Sequence, residues 1–422
     1  MTDMETTNAH PAAPASATQP VDIRYRIGLT LASFVPGISS VALKQLLLPL
    51  QVAQLDPVHP YTSFALVASV GALAGLIATP LSGALSDRTS SRFGRRRPWI
   101  VGGIIVAAIG LSMMAVAQTT WLLLLGGVVE QIGVDTILST VTALIPDQVP
   151  ERQHASTSAL NGMAPIVGGV IGLGLVTSLT TPKIVAQGYL LLAFLSCICI
   201  ITFLGMLRER AVRRVQVPSF QWSAFLAGFL HPLASRDFVL TLVSRLLVFL
   251  AFTTLGSFLL FYLRAAFHLG PGAAAQTLTL FQLLSNVVLA AAALVVGAWS
   301  KHMGRIKPFI VAGSLLMALG LFVIALVRSE PVLLAAACLF GAGFGAFLGV
   351  DIHLAVKVLP RASDRGKDLG LIHTAIFLPL IISPWLGAAT LNTVSSFTLL
   401  FALAGLFSAG AAACILPIKA VR

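Results

Sequence analysis

The sequence predicts an all-α polytopic membrane protein, with twelve transmembrane helices in two pseudo-symmetric halves of six. Three observations carry that prediction. Of the 422 residues, 57% are hydrophobic and only 10% are charged, against about a quarter charged in soluble domains. The apolar residues come in runs of about 20 or more, long enough at ~1.5 Å per residue to cross a ~30 Å hydrocarbon core. A set of landmarks in the first half of the chain also returns in the second. A transmembrane β-barrel would show ~10-residue segments of alternating polarity, and these are absent.

Taken in order, residues 1–22 are rich in Thr, Ala and Pro and contain no apolar core. They read as a disordered cytoplasmic tail, not a signal peptide. Spans are expected at 27–54, 61–85, 98–118, 120–146, 155–180 and 185–207, making an amino-terminal bundle over 23–207. The connection 208–236 opens with Arg208, Arg210, Arg213 and Arg214 and continues through Phe220, Trp222, Phe225 and Phe229. Aromatic residues beside a basic run suit a short helix lying on the inner leaflet. The remaining spans are expected at 237–263, 272–299, 308–328, 331–358, 369–391 and 394–417, within a carboxy-terminal bundle over 237–422.

Charge orients these spans. With the amino terminus inside, 21 of the 27 basic residues fall in cytoplasmic segments and only Lys183, Arg264 and Arg328 fall outside. That asymmetry places both termini in the cytoplasm of a plasma or inner membrane. It also accounts for the net charge of +12 through topology and contact with anionic lipid, so no nucleic-acid partner is expected. Cys197, Cys199, Cys338 and Cys414 all lie in apolar runs without ligand-like spacing. No metal, cofactor or disulfide is expected from them.

The strongest landmark is Gly83-Ala-Leu-Ser-Asp87-Arg88, followed by Gly94-Arg95-Arg96-Arg97-Pro98. Five arginines between Arg88 and Arg97 cannot enter hydrocarbon. The stretch returns as Gly297-Ala-Trp-Ser-Lys301 and Gly304-Arg305-Ile-Lys307-Pro308. A second pair, Gly133-Val-Asp135 and Gly349-Val-Asp351, sits in the fourth and tenth spans. Two landmarks repeated in the same order indicate duplicated halves, with a substrate site between them.

The run from Gly83 to Arg96 resembles the loop 2–3 signature of the major facilitator superfamily. Its wording from Ser86 to Trp99 is similar to the sucrose-transporter and glycoside–pentoside–hexuronide:cation symporter branch, supported by Asp351, Pro360 and Lys367 to Gly370. The resemblance implies alternating access in a monomer. It implies that Asp87 contacts a helix amino terminus and an arginine in one access state only. Gly83, Asp87, Arg88, Gly94, Arg95 and Arg96, with the echo Lys301, Gly304 and Arg305, would then form the cytoplasmic gate. Two departures stand out. Sucrose transporters carry an arginine in the fourth span, and none occurs here. The stretch Asn161 to Gly169 also resembles an element of drug:proton antiporters, with Ala164 in place of its glycine.

Charges inside spans are expensive and mark function by default. Lys44, Glu130 with Asp135, Arg245, and Asp351 occupy the first, fourth, seventh and tenth spans, those that the family resemblance implies line the central cavity. Gln131, Asp135, Ser139 and Thr142 follow helical spacing and form one polar stripe, while Gln282 and Asn286 stand one turn apart in the eighth span. Either Asp135 or Asp351, with Glu130 as competitor, would bind the coupling proton. The alternative is that Arg245 with Asp351, and Lys44 with Glu130 or Asp135, are permanent ion pairs. His353 and His373 can relay protons or make polar helix contacts.

The expected function is secondary active transport, as proton-coupled symport of a sugar or glycoside, with proton-driven efflux as the alternative. Lipid, a small solute and H+ are the expected partners. An enzyme is disfavoured, because no metal site, triad or nucleotide-binding loop is present in the sequence.

Overall fold

The computed structural model describes residues 21–179, 184–207, 235–358 and 377–418. Twelve helices there are long and apolar enough to cross a membrane, and no strand occurs among the described residues. The first half comprises α1 (Ile23–Leu55), α2 (Pro60–Arg88), α3 (Arg97–Ala115), α4 (Thr120–Gln148), α5 (Glu151–Thr177) and α6 (Ile184–Met206). The second comprises α7 (Arg236–Ala266), α8 (Pro271–Met303), α9 (Lys307–Leu326), α10 (Glu330–Val358), α11 (Phe377–Val394) and α12 (Phe397–Ile415).

The helices begin where local chemistry starts them. Pro60, Pro98, Pro271 and Pro308 occupy the first turn of α2, α3, α8 and α9, where the missing N–H would have had no helical partner. The Thr119 hydroxyl accepts from Leu122 N at 3.3 Å, and Ser396 accepts from Leu399 N at 3.2 Å, capping α4 and α12. Gly94 and Gly304 adopt φ of 100° and 63°. The two copies of the repeated loop thus turn through glycine for the same steric reason.

Expected boundaries shift modestly. The third helix stops at Ala115, before the extended Thr119 cap, and the fifth starts at Glu151 directly after Pro150. The eleventh is described only from Phe377. The interfacial helix expected within 208–236 lies almost wholly outside the described residues, as does nearly all of the 1–22 tail. The least expected feature is a π-helical turn, Leu43–Leu47, inside α1. Such bulges often mark functional positions, and this one carries Lys44 and Gln45.

Close packing uses small residues within each half. Gly168 and Gly172 of α5 meet the backbone of Phe34 and Ile38 in α1, while Gly341, Gly345 and Gly349 of α10 meet α8. Gly174 of α5, by contrast, faces open space.

Between the halves, α2 packs on α11 and α5 on α8. The hydrogen bonds that cross are Asn392 Nδ2 to Thr62 Oγ1 (2.9 Å), Ser69 Oγ to Ile381 O (2.7 Å), Thr177 with Thr279 (2.8 Å) and Gln282 Nε2 to Gln45 Oε1 (2.8 Å). Tyr61 adds ring contacts to Phe258, Phe261 and Phe397, and Phe64 to Phe258 and Phe261. All of these lie at mid-depth or toward the face opposite the arginine-rich loop. They seal the seam toward that face.

Candidate functional site

In the first half the polar stripe of α4 forms as the spacing implies. Gln131 Nε2 donates to Asp135 Oδ2 at 2.7 Å, and Ser139 bonds Ser82 of α2 at 2.7 Å. Thr142, the fourth member, is exposed. Space for the Asp135 carboxylate comes from Gly75 of α2, because a Cβ there would collide with Asp135 Oδ2 and sit 3.1 Å from Gln131 Nε2. Glu130 and Asp135 are buried, at 2% and 4% exposure. Lys44 lies within electrostatic reach of both carboxylates, but it makes no ion pair within 4.0 Å among the described residues. The permanent Lys44 pairs considered from sequence do not form. Glu130 is also near the buried Tyr189, whose hydroxyl has no hydrogen-bond partner among the described residues.

The second half behaves differently. Arg245 Nη1 meets Asp351 Oδ2 at 2.9 Å, with both side chains buried. The guanidinium also lies over the Phe249 ring at 5.6 Å, a cation–π contact. Phe249 joins a ring cluster with Phe344 and Phe252, the last two stacked at 4.3 Å. Here the permanent-pair alternative does form.

Between these clusters, Gln282 reaches the other half through Gln45, and Asn286 lies one turn further along α8, partly exposed. Sequence reasoning missed Gln45. Its only signal was adjacency to Lys44, and its aim depends on the π turn. His353 is exposed, and His373 lies outside the described residues.

At the arginine-rich face, Arg96 is buried and holds three groups. It meets Asp87 Oδ1 at 2.5 Å, Asp147 Oδ2 at 3.0 Å and Ser86 Oγ at 2.5 Å. Arg95 also meets Asp147 Oδ2, at 2.7 Å. Because Asp87 ends α2, Arg96 precedes α3 and Asp147 nearly ends α4, the network ties three helix ends together. Arg97 Nη2 extends it to α6 through Leu204 O at 3.2 Å. Asp147 was not singled out from sequence, although it directly follows the expected end of the fourth span at residue 146. In the echo loop Lys301, Gly304 and Arg305 are exposed, and neither basic side chain has a hydrogen bond or ion pair among the described residues.

A family model described as Major Facilitator Superfamily matches residues 27–288 and 241–421. The chain belongs to the major facilitator superfamily. It is a transporter, not an enzyme, and an integral membrane protein. Over 94 residues it is 39% identical to the sucrose transport protein SUC4 of Arabidopsis thaliana, covering 22% of this chain and 18% of that protein. Over 90 residues it is 32% identical to the general alpha-glucoside permease of Schizosaccharomyces pombe, covering 21% and 16%. A 55-residue stretch is 46% identical to the human proton-associated sugar transporter A, covering 13% and 7%. These matches span less than a fifth of each relative's length. Among solved structures, the peptide transporter POT gives a TM-score of 0.76 at 13% identity, covering 96% of this facilitator and 98% of that chain. The nucleoside transporter NupG gives 0.73 at 13% identity, covering 93% and 98%. At such identity they attest the fold alone.

Proposed function

We propose that this facilitator is a proton-coupled symporter for a sugar or glycoside, working as a monomer by alternating access in a plasma or inner membrane. Both termini would be cytoplasmic, with six-helix bundles over 23–207 and 237–422 joined through 208–236. The observation that carries the coupling is the pair of buried α4 carboxylates, Glu130 and Asp135, held near Lys44 without an ion pair. An unpaired buried carboxylate is strongly favoured in its neutral form over its charged form. Exposure to water on one side and burial on the other then alternate its charge. Asp351, held by Arg245, would serve as a fixed strut.

On this reading the structure has its outer seam closed. Gln45, Gln282 and Asn286 stand between the two clusters and would offer amide donors and acceptors to solute hydroxyls. The Arg95–Arg96–Asp147–Asp87 network would keep α2, α3 and α4 moving as one body. The sugar assignment draws on the relatives named above, which are described as sucrose, alpha-glucoside and proton-associated sugar transporters. A second reading, efflux, is favoured by a 153-residue match, 29% identical, to the MFS efflux transporter aclA of Aspergillus oryzae.

Proteoliposomes with an imposed pH gradient, offered a panel of mono- and disaccharides, test the proposal. Uncoupler-sensitive accumulation of a sugar down the proton gradient is expected. Movement of amphipathic compounds against the proton flux, with no sugar accumulation, would favour efflux and sink the proposal.

A further inference from the structure

A cavity of about 380 Å³ lies at the sealed face, away from the buried carboxylates Glu130, Asp135 and Asp351. Its walls include Arg328, Ser395, Ser396, Phe397 and Thr398 from the second half and Tyr61 from the first. No carboxylate lines it. Arg328 is exposed and forms no ion pair among the described residues.

The hydrogen bonds of Arg328 go to neutral oxygens. Nη1 donates to Tyr262 Oη (3.0 Å) and Val327 O (2.8 Å), and Nη2 donates to Thr398 Oγ1 (3.2 Å). A guanidinium has five N–H donors, so Nε–H and one Nη2–H are uncommitted. Thr398 belongs to the first turn of α12, where backbone N–H groups and the helix dipole also favour negative charge. The chain enters that turn through Ser395, at φ 53°, and Ser396. A cation oriented by neutral acceptors, a helix start and four hydroxyl-bearing residues meet at one cavity.

We propose that this cavity binds a small carboxylate from the aqueous phase on that side, and that its occupancy holds the seam closed. Planar recognition of two oxygens suits a guanidinium edge with two donors to spare. The volume leaves room for a few hydroxylated carbons beside Ser395, Ser396 and Tyr61. Coupling follows from the walls. Tyr61 comes from one half and Arg328 from the other, so the complete site exists only while the halves meet there. A ligand that binds one state alone shifts the equilibrium toward it, about a hundredfold at a hundred times its Kd. The proposal does not depend on the transported solute being a sugar.

The test uses the purified full chain with gluconate as probe, against glucose and against sodium chloride at equal ionic strength. Gluconate should raise the thermal midpoint, with little change from the other two. Arg328→Gln should abolish the rise. Because Arg328 also supports Tyr262, Ser395→Asp is the second variant, which places a like charge in the cavity and should block binding without weakening the fold. Spin labels at Ser90→Cys and His302→Cys, with the four native cysteines replaced, report the arginine-rich face. Gluconate should lengthen their separation. A chloride response equal to gluconate, or undiminished binding in both variants, would overturn the site; binding with no change in separation would overturn the coupling. Nanodiscs separate the sources of the anion. If phosphatidylglycerol without gluconate raises the thermal midpoint of the wild type but not of Arg328→Gln, and weakens gluconate binding to the wild type relative to phosphatidylcholine, the occupant is a lipid headgroup and the aqueous assignment fails.

Discussion

The two halves place buried charge in matching helices and treat it in opposite ways. In α7 and α10, Arg245 and Asp351 close on each other at 2.9 Å and are shielded from solvent. In α1 and α4, Lys44 stands near Glu130 and Asp135 without pairing, and Gln131 supplies Asp135 with a neutral partner. The same contrast recurs at the arginine-rich face, where Arg96 joins Asp87 and Asp147 while Lys301 and Arg305 project outward. Duplication has preserved where charge sits, and the two copies have diverged in what the charge meets. A closed pair is a poor proton carrier, whereas an unpaired buried carboxylate changes charge whenever its access to water changes.

The sharpest way to break this contrast is to remove one carboxylate from each half and measure stability. Asp351→Asn leaves Arg245 buried without its counter-ion, which should cost about 3–5 kcal/mol. Replacing both residues, as Arg245→Met with Asp351→Leu, should recover most of that loss. Asp135→Asn keeps a polar partner for Gln131 and should cost less than about 1 kcal/mol. Unfolding in mild detergent measures all three. Equal losses for the two single variants would mean that both halves hold their charge in the same way.

Transport sharpens the comparison next. With one proton per solute, a gradient of one pH unit supplies about 1.4 kcal/mol, or about tenfold accumulation. Asp135→Asn should equilibrate its solute without concentrating it, and solute exchange should persist. Gly75→Ala is a milder probe, since the added methyl would displace the Asp135 carboxylate while leaving the backbone in place. It should lower accumulation and keep the fold. Normal accumulation in Asp135→Asn, with loss in Glu130→Gln, would move the coupling role to Glu130.

How far the sequence anticipates these features depends on what each one requires. The spans follow from run length and hydropathy alone, and the Arg245–Asp351 partnership was foreseeable as two opposite charges at similar depth. Gln45 was not, because a five-residue π turn sets where its amide points. Asp147 escaped because an acid near a loop is ordinary until α2, α3 and α4 are seen to end together. The Phe252–Phe344 stack had no signal among 24 phenylalanines, since apolar helices carry phenylalanine on every face. Local periodicity reports element type and depth, while helix rotation and neighbour identity arise from packing.

The two loops offer a third test. Arg96→Gln removes contacts to Asp87, Asp147 and Ser86 at once. Substitutions in coupled elements shift conformational balance by about 0.5–2 kcal/mol, so turnover should fall roughly two- to thirtyfold. Lys301→Gln, with no described partner to lose, should leave turnover unchanged. Equal effects would show that the second copy works as a gate through contacts outside the described residues.

The smallest effect is expected at the turns on the sealed face. Between α1 and α2, Asp56 accepts from Ser63 Oγ at 2.6 Å and from His59 N at 3.0 Å. The Ser63 hydroxyl, and then the His59 backbone N–H, favour the charged form and lower the Asp56 pKa below its ordinary value of 3.8. The corresponding turn of the second half, between α7 and α8, runs through His268 and Gly270 to Pro271 and has no carboxylate. A depressed folded-state pKa contributes stability that is present above the unfolded value and lost as pH falls through the folded one. The contribution from Asp56 should therefore be intact at pH 5 and decline as the pH falls below about 4. Thermal midpoints of the wild type and Asp56→Asn should differ slightly at pH 5 and draw together as the pH is lowered further. Because the carboxylate is open to solvent, the gap should also shrink in high salt. A gap that stays constant across this range would mean that Asp56 holds the turn through geometry alone, without help from its charge.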